Sequence, residues 1–401
     1  MSERFKFDRM ELSGALGDLG TLLPIAIAMI LFNGLNPLGL FLSIGAFYIL
    51  SGIYFGITVP VQPMKVIGAY AIATAMSAGQ ILAASLLIGI FLLLFGMTGA
   101  IDAIRKWTPK SVIRGVQLST GALLISSGIK FIIGTSKFQT LQNAVEPHLN
   151  LQNVGPLPVG MVIGIVGAVI TLLLLGNKRF PAGLIVVLGG LITGIALGAK
   201  FDFWSGEETA FFHLPQLLPF GFPNKAEFTY ALLVLVLPQL PMTLGNAVLA
   251  YTDLSKDYFG ERSAKVTNRK VCVSMALANF CSFCLGGMPM CHGAGGLAAH
   301  YRFGARTAGS NLMIGGIFVV LALMLGGNIV GFFNLLPMSI LGVLLIFAGS
   351  QLTLTIMDLE NRKDYFVATI ILGITLATNL AAGFIAGIAI AHLLRWKNLS
   401  V

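Results

Sequence analysis

Two hydrophobic segments of this chain are interrupted by proline at corresponding places. One reads Thr58-Val-Pro-Val-Gln-Pro-Met-Lys65 and the other Gly287-Met-Pro-Met-Cys-His-Gly-Ala-Gly-Gly296. Each sets a Pro-Met step, Pro63-Met64 or Pro289-Met290, just before a short apolar run of helical character. The runs end near Ser77 and His300. At 1.5 Å per residue they reach only about 22 and 18 Å, short of a hydrocarbon core of roughly 30 Å. Broken helices at membrane depth survive only where protein or a polar cavity surrounds them. A pair of them in matching places of two repeats marks a transporter's binding site.

The repeat is legible in the spacing. Pro63-Met64 recurs about 226 residues later as Pro289-Met290. Leu16-Gly17-Asp18 recurs about 228 residues later as Leu244-Gly245-Asn246, and Pro109-Lys110-Ser111 at the same offset as Pro337-Met338-Ser339. Three matches in order at nearly one offset indicate a duplicated unit of roughly 200 residues. The chain is 56% hydrophobic and only 10% charged, far from the composition of a soluble domain. Apolar runs predict an all-α polytopic membrane protein with about fourteen transmembrane segments. They lie near 13–33, 37–57, 60–77, 80–99, 111–133, 158–176, 181–199, 228–250, 268–286, 288–300, 308–327, 334–354, 365–379 and 380–395. Seven spans per repeat is an odd number, so the second repeat must start on the opposite side and be inverted. The expected units are 1–199, an external linker at 200–227, and 228–401.

Loop charge agrees with that layout. With a cytoplasmic N-terminus, 20 of the 25 basic residues fall inside, 4 fall outside (Lys130, Lys137, Lys200, Lys225), and Lys65 lies within the membrane. Such a bias sets orientation, so the net charge of +9 is a topology signal and not a nucleic-acid footprint. Both termini are expected in the cytoplasm of a bacterial-type inner (plasma) membrane. The charged first ten residues argue against a cleaved leader, and no soluble domain is expected after Trp396. Cys272, Cys281, Cys284 and Cys291 all fall in spans nine and ten; without a second spaced Cys/His pair they predict packing residues and no metal or cofactor.

Polar side chains at membrane depth are costly and face cavities or partners. Asp18 in the first span and Lys65 opening the third are the charged ones, with Gln62, Gln239, Asn246, His292 and His300 around them. Lys65 follows a break, so it lies in a first helical turn, where N–H groups lack partners and the dipole adds about +0.5 charge. The segment after Pro289 supplies a second such end, and Gly293, Gly295 and Gly296 admit close approach to its backbone. Two helix N-termini and one lysine make an anion site. The candidate substrate-binding residues are Gln62, Met64, Lys65, Val66, Gln239, Asn246, Met290, Cys291, His292 and Gly293, with Asp18 as the coupling group. Simpler readings stand beside these: Lys65 as a cation paired only with Asp18, His292 as a packing or hinge residue, His300 as the mark of a span end, and the methionines as packing.

Asp18-Leu-Gly-Thr-Leu-Leu-Pro24, Pro60-Val-Gln-Pro-Met-Lys65, Leu237-Pro-Gln-Leu-Pro241, Cys291-His-Gly-Ala-Gly-Gly-Leu-Ala298 and Tyr301-Arg-Phe-Gly-Ala-Arg306 resemble the molybdate transporter family, which is related to the SulP sulfate permeases. The resemblance runs through both repeats. It implies a uracil-permease-like fold of two inverted seven-span repeats, divided into a core (spans 1–4 and 8–11) and a gate (spans 5–7 and 12–14). It implies a site between spans 3 and 10, lined by spans 1 and 8, and elevator-like alternating access. Sulfate permeases usually append a STAS domain, and this sequence shows none, which favours the molybdate branch.

Residues and resemblance meet on a tetrahedral oxyanion, with molybdate first and sulfate as the alternative. At about 100 mV each charge costs roughly 2.3 kcal/mol, so passive entry would leave a dianion more than a thousandfold depleted inside. Import therefore needs a coupling ion, a proton or sodium, and Asp18 is the carboxylate placed to serve it. A passive anion channel, a nucleobase permease and an intramembrane enzyme are weaker readings; the enzyme has only Cys291 and His292, which as neighbours on one helix do not face each other. Expected partners are the oxyanion, the coupling ion, the bilayer and a second copy in a homodimer.

Overall fold

The computed structural model describes residues 5–98, 109–136, 139–140, 146, 148–174, 182–200 and 212–395. Of the basic residues counted in the charge bias, Arg4, Arg105, Lys106, Lys137, Lys178, Arg179 and Lys397 lie outside them, as does the first part of the linker, 201–211. The described chain is mostly helical. Among the described residues, six helices are long and apolar enough to cross a membrane: Pro37–Phe55, Ala78–Thr98, Lys110–Ile133, Lys225–Ser263, Ala308–Asn334 and Met338–Asp358. A seventh candidate is a bent pair, Arg9–Leu16 with Thr21–Asn33, turning by 51°.

Helices stand at the remaining places too, and four of them are short within the described residues. Val159–Leu174, Ala182–Ala196, Arg362–Ala377 and Leu380–Leu393 have 14 to 16 residues, or about 21–24 Å of helix. Two boundaries change in kind. The first span is not one helix over 13–33; it breaks at Gly17-Asp18. The eighth runs well past 228–250, from Lys225 to Ser263, with π-helical stretches at Ala231–Val236 and Thr243–Ala250. Pro238 and Pro241 sit between those stretches. Proline removes a donor and crowds the preceding turn, and a widened turn beside it keeps the helix going.

Glycine lets the two halves of the chain pack closely. A Cβ on Gly121 would stand 2.6 Å from Gly349 O, and one on Gly349 2.6 Å from Gly121 O. Gly128 and Gly342 repeat the arrangement on the same two helices, at 2.4 and 2.5 Å. Gly45 and Gly315 do so at 2.8 Å between Pro37–Phe55 and Ala308–Leu325. Helix association in lipid depends on such close approach of small residues. Ala78–Thr98 packs likewise on Asn268–Leu285, where Ser85 Oγ donates to Asn279 O at 3.2 Å. Each of these pairs joins the first half of the chain to the second.

Remote from the proline breaks, Glu146 is buried in the segment that precedes Val159–Leu174. Its Oε1 accepts from Met338 N at 3.1 Å, satisfying one of the open donors of the Met338–Thr353 helix. Burial pushes this carboxyl up to about 8 and holds the nearby His148 below its ordinary value.

Candidate functional site

The two proline breaks pair with each other. Gln62-Pro63 and Met290-Cys291 form a two-stranded antiparallel ribbon, with Gln62 opposite Cys291 and Pro63 opposite Met290. Met64 N extends it by donating to Pro289 O at 2.9 Å. Proline disfavours helix in the residue before it, so Val59, Gln62 and Met288 are held extended. Helix resumes only at Lys65, giving a first half-helix Lys65–Thr74, and at Ala294, giving a second, Ala294–Phe303. Each has ten residues, about 15 Å, still shorter than the sequence suggested.

Polar side chains from neighbouring helices satisfy the backbone that the breaks expose. Asn279 receives Met290 N at 3.1 Å and donates to Met290 O at 2.8 Å. Asn311 does the same for Val59, accepting from its N and donating to its O at 2.8 Å each. Ser282 Oγ donates to Met288 O, and Tyr48 OH to Val61 O. The sequence reading missed Asn279 and Asn311, although a lone asparagine inside an apolar run was the signal to follow.

His292 belongs to this scaffold. Its Nδ1 lies 2.9 Å from Pro60 O and its Nε2 3.0 Å from Ser274 Oγ, while its ring packs against Phe47 and Tyr251. Both ring nitrogens are thus engaged by protein groups. His300 Nδ1 meets Thr58 Oγ1 at 2.8 Å, a second histidine tying the two breaks together. Met64, Met290 and Cys291 are buried, and the four cysteines are free thiols. No cluster of three His, Cys, Asp or Glu that could hold a metal occurs among the described residues.

Asp18 caps no helix with its side chain, although it precedes Leu19–Asn33. It takes a hydrogen bond from Gln62 Nε2 at 2.5 Å on Oδ1. Its other oxygen, Oδ2, is buried without a partner, and so is Gln62 Oε1. Both groups lie against the glycines of the second break. A Cβ on Gly293 would fall 1.9 Å from Gln62 Oε1, and one on Gly296 2.7 Å from Asp18 Oδ2. The missing side chains of those two glycines leave room for Gln62 and Asp18 beside the second break. Gly295 differs: it is exposed, and a Cβ there would meet nothing within 4 Å.

Lys65 is half-buried in the first turn of the first half-helix. It forms no ion pair with Asp18 or any other carboxylate among the described residues, although Asp18 is near enough for their charges to interact. Gln239 Oε1 accepts from Val66 N at 3.0 Å and Ile67 N at 3.2 Å. Its amide nitrogen donates to Thr243 at 2.8 Å. Gln239 thus occupies donors that the sequence reading had offered to an anion. The second half-helix has no side-chain cap.

Asn246 lies elsewhere. It lines a cleft of about 490 Å³ with Arg114, Gln117, Asp253 and Arg395, where Arg114 is bound to Asp358. No hydrogen bond joins it to Asp18, Gln62, Lys65 or Gln239. In space the counterpart of Asp18 is Gln239: each side chain stands beside the N-terminus of the half-helix in the other half of the chain.

A ribbon of two broken helices inside an apolar helical bundle defines a membrane transporter, and solved structures share the fold. The transmembrane domain of a cyanobacterium bicarbonate transporter, BicA, aligns with a TM-score of 0.62 at 16% identity, covering 94% of this chain and 97% of that one. Murine Slc26a9, an anion transporter in the inward-facing state, aligns at 0.66 and 15% identity, over 98% of this chain and 69% of that one. The chain belongs to the molybdate transporter family: the model described as "Molybdate transporter of MFS superfamily" matches residues 10–124 and 231–352. Molybdate transporters 1 and 2 of Arabidopsis thaliana are 32% and 31% identical to it, over 98% and 97% of this chain and 90% and 88% of theirs. Molybdate transporter 1 of Chlamydomonas reinhardtii is 29% identical over 94% of this chain and 90% of its own. The protein is a transporter and not an enzyme.

Proposed function

We propose that this protein imports molybdate by secondary active transport, through fourteen membrane segments arranged as two inverted repeats with both termini in the cytoplasm. The oxyanion binds between the two half-helices. Lys65 supplies charge, and the uncapped N–H groups of Ala294, Gly295 and Gly296 supply hydrogen bonds. Core and gate move against each other in an elevator-like cycle, and Asp18 carries the coupling proton. One observation carries the reading: a lysine without an ion pair among the described residues opens one broken helix, and the break paired with it leads into a helix that is uncapped and open at Gly295. The unpartnered Asp18 Oδ2 supports the coupling role, because no protein donor occupies that oxygen and it is open to take and release a proton.

Thermal stabilisation of the purified protein by molybdate, tungstate and sulfate tests the substrate. Molybdate or tungstate should stabilise at far lower concentration than sulfate; the reverse order would reassign the substrate. In Lys65→Ala, loss of a charged hydrogen bond worth about 1.5–3 kcal/mol should weaken binding by roughly 10- to 150-fold. Unchanged affinity with intact expression would remove Lys65 from the site.

A further inference from the structure

We propose that the outer face of the bundle carries a site for one anionic phospholipid, between Pro37–Phe55 and Asn268–Leu285. A groove of about 470 Å³ runs there, walled by Leu50, Val273, Leu277 and Ala278 and ending at Tyr54, Arg269 and Lys270. Its apolar walls are open: Leu50 is 67% and Leu277 60% exposed. From Arg269 to Cys281, which also lines it, the helix advances about 18 Å. That is slightly more than half of a roughly 30 Å hydrocarbon core, the depth of one leaflet.

The charge is gathered at one end. Arg269 and Lys270 have no carboxylate within 4.0 Å among the described residues. Lys265 lies beside them, its Nζ 5.6 Å from the centre of the Tyr54 ring. A slot with apolar walls and three cations at its mouth matches an acyl chain below a phosphate head group, since basic residues at the membrane surface attract anionic lipid. A neutral phospholipid would fill the walls and leave the cations unanswered. The groove also reaches the second break: Phe47 and Ser274 line it, and both touch His292.

Phosphatidylglycerol, phosphatidylcholine with the same acyl chains, and inorganic phosphate would be added in turn to delipidated, detergent-purified protein. Thermal unfolding and native mass spectrometry would be read for each. Phosphatidylglycerol should raise the unfolding midpoint by several degrees and stay bound at one molecule per chain, while phosphatidylcholine and phosphate leave the midpoint unmoved. The double variant Arg269→Gln/Lys270→Gln and the groove-filling Leu277→Trp should each lose the phosphatidylglycerol shift and keep the shift given by molybdate. Equal shifts from the two lipids, a shift from phosphate alone, or a phosphatidylglycerol shift that survives both variants would overturn the site.

Discussion

The two half-helices are alike in length and entry but opposite in how their N-termini are finished. The first begins at Lys65, carries the free cation, and has its next two N–H groups closed by Gln239. The second begins at Ala294, carries no charge in its first turn, and has no cap. Its flanking glycines receive Gln62 and Asp18, and Gly295 faces open space. The two breaks share one scaffold, and their side chains finish it differently. One break offers a positive charge, the other offers backbone donors. In the proposed site a tetrahedral dianion would draw on both.

Substitution at the glycines should expose this division most strongly. Gly293→Ala drives a Cβ into Gln62 Oε1, at 1.9 Å from where that atom now sits, and Gln62 is fixed by Asp18. Overpacking of this kind costs about 1–3 kcal/mol, so folded yield and thermal midpoint should fall. Gly295→Ala meets nothing and should leave stability nearly unchanged, yet weaken molybdate binding because the methyl group enters the space reserved for the anion. If the two variants behave alike in both assays, the second break is not divided between scaffold and ligand.

Gln239→Leu comes next. It leaves Val66 N and Ile67 N without their acceptor, at about 1–3 kcal/mol for an unsatisfied buried donor. Stability should drop, and a scan of anion affinity should show a change smaller than that of Lys65→Ala. An equal or larger affinity loss would mean that Gln239 touches the anion directly in another conformation.

Asp18→Asn keeps the shape and most hydrogen bonds of the carboxylate but cannot cycle a proton. Binding and anion exchange should persist while uptake driven by a pH gradient is lost. Normal uphill uptake in this variant would take coupling away from Asp18. A structural role alone would instead lower binding and folding together.

A smaller effect separates coupling from ordinary acid–base stability. Burial raises the Glu146 carboxyl to about 8, above its unfolded value. The folded state therefore holds more protons between those values, and this contribution to stability is full below the ordinary carboxyl range and lost as pH rises towards 8. Glu146→Gln, a fixed mimic of the neutral form, should flatten that part of the midpoint-versus-pH curve and leave molybdate affinity as it was. A changed affinity would tie this remote contact to the breaks.

Much of this arrangement was legible in the residues because it follows from strong local rules. Pro60, Pro63 and Pro289 remove donors, so helices must break there, and Lys65 is a charge where charge is costly. Gln239 was harder. The sequence reading carried the repeat along the eighth span at one offset and matched Asp18 to Asn246. The π-helical stretches around Pro238 and Pro241 rotate that span, so Gln239 takes the inner position and Asn246 faces the cleft with Arg114. The roles of His292 and of the glycines depended on contacts between segments more than 200 residues apart, such as His292 with Pro60. No local pattern encodes them.

The central claim is a position, so the most direct measurement locates the metal of the substrate. Crystals grown with molybdate or tungstate would place the heavy atom by its anomalous scattering. The peak is expected between the half-helices, where the oxygens around the metal reach Lys65 Nζ and the N–H groups of Ala294–Gly296. A peak in the cleft beside Asn246 and Arg114, with none between the half-helices, would contradict the claim.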